Sequence, residues 1–536
     1  MDNEKKSVWT GNGVLVVAAM VMGVMMGAMF TSHKRSDTAS SLQEKVGEVA
    51  ELVADEYVDV MDADSMAERL VGVMLAELDP HSAYLSVLET ERTEELMRGR
   101  FEGVGLLLRR EDDTTFVGNV IADGPSADIG LRAGDKIVRV DGRKVTGLPA
   151  DTVVALLRGP RRTTVAIDIE RFTPRGTTES IQYKVRRGVV NHHTVLYYGM
   201  LDDTTGYVFL STFSSTSHDE FHTALRDLTS KGMRHLIFDL RGNTGGSLSA
   251  AVDIAGELLP TGSLIVYTEG AHSPRQNIYA RRGGLFTTGR VTVMVDESSA
   301  SASEVVSGAL QDNDRATIVG RRTFGKGLVQ REFALSDGSS VLLTTARYYT
   351  PSGRSIQRPY DRGTDEYYRE YLDQLVQESY ADSMTLHITD STEYHTVGGR
   401  IVYGGGGIFP DLPIAYRKDP SYGYYNRLAG SGALQHVAFD EVRHHGAALL
   451  QRYADADAFY RHYRVDERLL RAVRQWGEQH EVPSDAAAFN TQRILIATLV
   501  KAYIASHLYG NEAFHRIYLD VDEDLKVVRE KNTTKN

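Results

Sequence analysis

Cysteine is absent from all 536 residues, which excludes disulfides, thiolate metal sites and thiol catalysis together. Basic residues are in deficit: 60 Lys and Arg face 72 Asp and Glu, giving a formal net charge of −12. With no basic stripe carrying interleaved aromatics, a nucleic-acid surface is not expected. No histidines show H-E-x-x-H spacing; His444 and His445 are adjacent, so neither a metal site nor a cofactor is expected. Repeats and low-complexity segments are missing too. What remains is ordinary globular composition, 42% hydrophobic and 25% charged, long enough for about three or four domains.

The single long apolar run is Val14–Phe30, preceded by Lys5 and Lys6 and followed by His33, Lys34 and Arg35. Extended to Gly11–Thr31 it approaches the ~20 residues that span a bilayer. A charged n-region before an apolar h-region also fits a cleaved signal. No A-x-A site follows the run, so an uncleaved anchor over residues 1–35 is the expectation. Either way the body of the chain is expected outside the cytoplasm.

Chemistry concentrates between Asp296 and Gln330 (DESSASASEVVSGALQDNDRATIVGRRTFGKGLVQ). Val291–Val295 reads as a buried strand, residues 296–302 as a small-residue turn, and Ser303–Gln311 as a helix. A serine on such a turn sits beside the free N–H groups of the helix's first turn, which can hold an oxyanion. The plain alternative is that Ser301 and Glu304 form an S-x-x-E capping box. Lys326, flanked by Gly325 and Gly327, favours chemistry. A lysine acts as a general base only when neutral, so burial must lower its pKa from about 10.4 to roughly 7–8, which costs on the order of 4 kcal/mol. Gln330 lies four residues on and can share a face with it.

SASASE followed by FGKGLVQ, with serine and lysine 25 positions apart, resembles the carboxyl-terminal processing proteases, Ser/Lys endopeptidases that carry a PDZ domain. The resemblance implies Ser301 as nucleophile, Lys326 as general base and Gln330 as the residue that positions the lysine. Ser298 stands where the family usually has glycine. Asp239–Gly246 (DLRGNTGG) resembles the family's DLRxNxGG. It implies an oxyanion hole made by Ala302 N–H with Gly246 or Gly245. GNTGG also invites a trypsin-like reading, but Thr244 stands in the nucleophile slot and His192 and His193 lack a surrounding motif.

Asp79–Leu85 (DPHSAYL) is similar to the family's DPHSxYL, with His81 read as a structural turn residue. Gly103-Val104-Gly105-Leu106 resembles a PDZ carboxylate-binding loop, and residues 124–142 match the rest of the PDZ pattern. Val154–Gly159 reads as the groove helix, with Arg158 solvated. Strand-like runs at Tyr207–Phe213, Leu236–Leu240, Leu264–Tyr267, Val291–Val295 and Thr317–Val319 alternate with helical ones at His218–Thr229 and Ala250–Leu259, which predicts an α/β layer with a largely parallel sheet. Leu342–Gln357 and Gly398–Pro413 resemble the family's closing segments. Asp361–Asp390 reads as an insertion helix with a solvated face. The helical tail beyond Tyr422 is expected to fold on itself.

The fold expected is multidomain α/β: a PDZ domain before an α/β protease core, with helical regions at both ends. The ranges are 36–97 helical, 98–189 PDZ, 190–415 core and 416–536 helical. By the resemblance, substrates are polypeptides with nonpolar C-terminal tails, and the membrane is met through the N-terminal segment. Flanking helices and the family likeness allow a homodimer or higher oligomer. A degenerate tail-binding scaffold is the non-enzymatic alternative, and intact Ser301, Lys326 and Gln330 argue against it.

Overall fold

The computed structural model describes residues 37–173, 176–281, 283–380 and 390–533, so the apolar run at Val14–Phe30 lies outside them. Among the described residues no helix is long and apolar enough to cross a membrane. The chain divides into two units, residues 1–74 and 75–536. In the first, α1 (Asp37–Glu56) carries Leu42, Val46 and Val49 at helical spacing on an exposed stripe. Helix α2 (Ala63–Ala76) runs to the boundary.

The second unit opens with β1 (Ala83–Leu85) and α3 (Val87–Arg98), whose start is a full capping box between Ser86 and Glu89. Strand β2 (Arg100–Gly103) pairs with β9 (Gly188–Asn191) and brackets a β-rich domain. Its sheet runs β3 (Leu106–Glu111), β4 (Thr114–Val120), β5 (Lys136–Val140), β7 (Thr164–Phe172), β8 (Thr178–Arg186), with the short β6 (Arg143–Lys144) beside β5. Helix α4 (Ala150–Leu157) covers it, burying Val153 and Leu157 against Val117, Ile137 and Ile167. The helix ends at Leu157, two residues short of the expected Gly159 end.

The α/β core is a six-stranded sheet in the order β10 (Val195–Met200), β11 (Thr205–Leu210), β12 (His235–Asp239), β15 (Arg290–Val295), β16 (Thr317–Gly320), β21 (Leu412–Pro413). Only the β10–β11 pair is antiparallel. All five residues of β12 are buried, as a strand covered on both faces requires. One face packs against α5 (Ser217–Ser230), α6 (Leu248–Leu258) and α7 (Ala302–Asp312) through Phe221, Ile254 and Val306. The run at Leu264–Tyr267 is corrected: it forms β13 (Leu264–Gly270), outside the parallel sheet. It pairs antiparallel with β14 (Ser273–Tyr279) and β18 (Ser340–Tyr349) in a second sheet that also holds β1 and β17 (Leu328–Ala334). Apolar alternation marks a strand but does not name its partners.

Helix α8 (Thr364–Tyr380) has the expected exposed face, but its other face buries Tyr367. Strands β19 (Asp390–His395) and β20 (Ile401–Gly404) form a hairpin. Eight helices follow, α9 (Ser421–Gly430) to α16 (Glu523–Thr533). They share a core of their own around Leu434, Phe459 and Val500. They also reach outward. Leu525 and Val528 of α16 pack with Tyr207, Ile237 and Met294 on the second face of the parallel sheet. Phe439 meets Phe116, and Asn119 Nδ2 donates to Ser506 O at 3.0 Å on the β-rich domain.

Candidate active site

Strands β12 and β15 are parallel neighbours, so the loops leaving their carboxyl ends meet, where an open α/β sheet presents a crevice. Asn243, wholly buried, laces the two loops together. Its carbonyl accepts from Ala300 N–H at 3.0 Å and Ser303 Oγ at 2.8 Å, and its Nδ2 donates to Leu210 O at 2.9 Å. Gly242 N–H donates to Asp296 Oδ1 at 2.9 Å.

Ser301 ends the second loop with φ +54° and ψ −110°, and Ala302 begins α7. That backbone region is costly for a side chain, of the order of 1–3 kcal/mol, and persists only where its surroundings enforce it. Glu304, fully buried, supplies much of the enforcement. Its carboxylate accepts from Ser301 N–H at 2.8 Å, Thr323 Oγ1 at 2.6 Å, Gly325 N–H at 2.8 Å and Lys326 N–H at 2.9 Å. The glutamate of the capping-box pattern thus binds the serine loop to the lysine loop. A Cβ on Gly325 would fall 3.1 Å from Gly407 N, and a side chain on Gly407, at φ +88°, would run into the Thr323 carbonyl, so both positions require glycine.

Lys326 Nζ donates to Gln330 Oε1 at 2.7 Å rather than to Ser301. Gln330 Nε2 donates to the carbonyl of His81, which fixes the amide with its oxygen towards the lysine. Asp79 holds that turn, accepting from His81 N–H and Ser82 N–H at 2.8 Å each. Buried Tyr348 joins the two halves: its hydroxyl lies 2.7 Å from Lys326 O and 3.1 Å from Ser301 O and shares its one proton between the two carbonyls.

Burial lowers the Lys326 pKa, against the opposing charges of Asp79 and Glu304. Burial, then Lys326, pushes His81 down to about 4; its ring packs edge-on to Tyr367 and Nε2 lies 3.2 Å from the Tyr367 hydroxyl. Burial pushes Glu304 up to about 7 in spite of its four donors. Across the crevice, Arg241 meets Asp239 and Asp522 at 2.5 Å each, and Tyr207 OH donates to Asp239 Oδ2 at 2.7 Å. Burial works against the Arg241 charge, yet the two carboxylates hold its pKa well above the usual value.

Of the expected oxyanion donors, Gly245 lies against Ser301; a Cβ there would fall 2.8 Å from Ser301 Cβ. Its N–H donates to Asn243 Oδ1 at 2.9 Å. Gly103, Val104, Gly105 and Leu106 line a separate cavity of about 430 Å³, between edge strand β3 and α4. Helix α3 closes one side with Glu95 and Leu96. Arg158 is not simply solvated: it pairs with Glu95 at 2.6 Å. His193, weighed in the trypsin-like reading, lies 3.1 Å from Asp123 of the β-rich domain.

Sequence reasoning missed Tyr348, the Glu304 hub, the His81 carbonyl and Asp522. Only Glu304 left a signal, as the fourth position of the S-x-x-E pattern. The other three meet the site across 22 to 281 positions of chain.

Comparison with known families matches residues 204–364 to peptidase family S41, residues 116–171 to the PDZ domain, and residues 424–510 to a family of unknown function (DUF8443). The carboxy-terminal-processing protease of Bartonella bacilliformis is 32% identical, over 66% of this chain and 80% of its own. The carboxyl-terminal-processing protease of Synechocystis sp. is 36% identical, over 53% and 67%. Carboxy-terminal processing protease CtpA of Bacillus subtilis is 28% identical, over 64% and 73%. With a PDZ domain set ahead of an S41 core and a helical region behind it, the chain belongs to the carboxy-terminal processing protease family and is a serine peptidase.

Proposed function

We propose that this peptidase works through a Ser301–Lys326 dyad outside the cytoplasm, on polypeptides whose nonpolar C-terminal tails enter the PDZ groove. The observation that carries the dyad is Tyr348, whose hydroxyl shares its one proton between the carbonyls of both residues and so holds the two loops side by side. Gln330 Oε1 accepts one N–H of the amine and leaves its lone pair for Ser301 Oγ. In the reaction, neutral Lys326 takes the hydroxyl proton as Ser301 Oγ bonds to the substrate carbonyl carbon. The oxyanion collapses, the C–N bond breaks, and the lysine returns the proton to the leaving amine. Water, deprotonated by the same amine, then hydrolyses the acyl-enzyme. Ala302 and Gly246 are the N–H donors to the oxyanion in this reading, because Gly245 N–H is already taken by Asn243.

Tail recognition is supported by the open edge of β3 beside the Gly103–Leu106 loop, where an extended peptide can add as a strand and its carboxylate meet backbone N–H groups. Anchoring in the membrane of a bacterial cell envelope rests on the sequence of residues 1–35, and separation of membranes from soluble fractions checks it. For the dyad, the purified protein and its Ser301→Ala and Lys326→Ala variants are incubated with an unfolded protein ending in nonpolar residues, and products are read by mass spectrometry. Cleavage by the parent alone, with folded variants, is the expected result. Cleavage by either variant rejects the dyad.

A further inference from the structure

Two histidines on α5 and one glutamate on α6 converge away from the catalytic crevice. His218 and His222 are one turn apart, so both imidazoles leave the same face of α5. His218 Nε2 lies 3.0 Å and His222 Nδ1 2.7 Å from the same oxygen, Glu257 Oε1, and the three atoms all sit within 4.8 Å of one another. No other group of three such side chains has this geometry among the described residues. From these positions we infer a binding site for one divalent transition-metal ion of the zinc type, held by His218, His222 and Glu257.

The geometry needs little change to accept an ion. Zinc takes imidazole nitrogen and carboxylate oxygen at about 2.0–2.2 Å in a tetrahedron, which sets neighbouring donor atoms about 3.3 Å apart. The two His–Glu distances are a few tenths of an ångström short of that. Two imidazoles with one carboxylate select zinc, cobalt or nickel over magnesium and calcium, which prefer all-oxygen shells. Protein supplies three ligands, so a water completes the shell from the solvent side, where the histidine side chains are 33% and 40% exposed.

An outer layer orients the ligands. Glu257 Oε2 accepts from Leu285 N–H at 2.9 Å, and Glu257 O accepts from Phe286 N–H at 3.0 Å, so the carboxylate is pinned from behind. Asp219 Oδ1 is 3.7 Å from His218 Nδ1, the nitrogen that carries the proton once Nε2 binds metal. Asp253, one turn before Glu257 on α6, adds negative charge beside His218. Helix α6 starts just after Gly246 and ends at the ligand, so an ion here ties α5, α6 and the 283–286 segment together about 13 Å along the helix from the oxyanion loop.

The test uses the full chain without a histidine tag, stripped by chelation and titrated with Zn²⁺ in a calorimeter, with melting temperature read in parallel. Binding of one Zn²⁺ per chain with a rise in melting temperature is expected. Both are weakened at least 10-fold in His222→Gln and in Glu257→Gln, and unchanged in a His444→Gln/His445→Gln control. Failure to bind at one equivalent, or equal binding by both site variants, overturns the site and leaves a hydrogen-bonded triad. Should a variant not fold, Co²⁺ added to the parent decides: an intense four-coordinate visible spectrum supports the site, and the weak six-coordinate aquo spectrum refutes it.

Discussion

Lys326 and Arg241 are two cations drawn away from water at the carboxyl ends of one sheet, and they are treated in opposite ways. Arg241 is met by two carboxylates, Asp239 and Asp522, and its charge is locked on. Lys326 is met at hydrogen-bond distance by an uncharged amide, and its charge is destabilised by burial. The difference lies in the partner. A buried cation with a bonded counter-ion is a structural fastener, while one with a neutral acceptor gives up its proton more readily than a free lysine.

Removing either reacting group should have the largest effect. Ser301→Ala and Lys326→Ala should each lower peptidase turnover by on the order of 10³-fold or more, measured on one folded preparation. Next comes the opposite cation. Arg241→Ala should cost about 3–5 kcal/mol in denaturant unfolding, since it leaves Asp239 and Asp522 buried without their partner. Gln330→Glu would make the lysine pocket resemble the arginine pocket. A carboxylate there favours the ammonium, so the acid limb of the pH–rate profile should move up by about 1–3 units, with activity at neutral pH falling. Asp79→Asn removes the larger of the charges that raise the Lys326 pKa, so the same limb should move down.

Glu304 yields a stability test with a defined sign. Its folded pKa of about 7 exceeds the ordinary glutamate value of 4.5, so the folded protein binds this proton more tightly than the unfolded chain. The resulting stability is fully present below pH 4.5 and is lost as pH rises through 7, about 3 kcal/mol over the window. Glu304→Gln should flatten that dependence in urea titrations at pH 5 and 8. The smallest effect belongs to Arg158→Ala, whose half-exposed pair with Glu95 should be worth under ~1 kcal/mol.

Local pattern made much of this legible. Strand β15, helix α7 and the positions of Ser301, Lys326 and Gln330 are encoded within 40 residues, where periodicity and glycine spacing are informative. The partner of Gln330 was not legible, because it is a backbone carbonyl at His81 and any residue has one. Tyr348 sat in a strand-like run of ordinary aromatics, with nothing to mark its hydroxyl as the bridge. Asp522 sits just before α16, in a helical region whose sequence carries no motif, and its meaning depends on α16 docking on the second face of the sheet. Alternation at Leu264 marks a strand but not its sheet, since it fixes which residues are buried and leaves hydrogen-bonding partners open.

The most direct measurement is the rate at which a serine-directed phosphonylating probe labels Ser301 across pH, in the parent and in Lys326→Arg. Arginine keeps the charge and cannot give up its proton, so that variant should remain unlabelled at every pH. The parent rate should rise through one ionisation lying below the ordinary lysine value of about 10.4. Labelling of Lys326→Arg at the parent's rate, with the same pH profile, would contradict a neutral Lys326 as the base that activates Ser301.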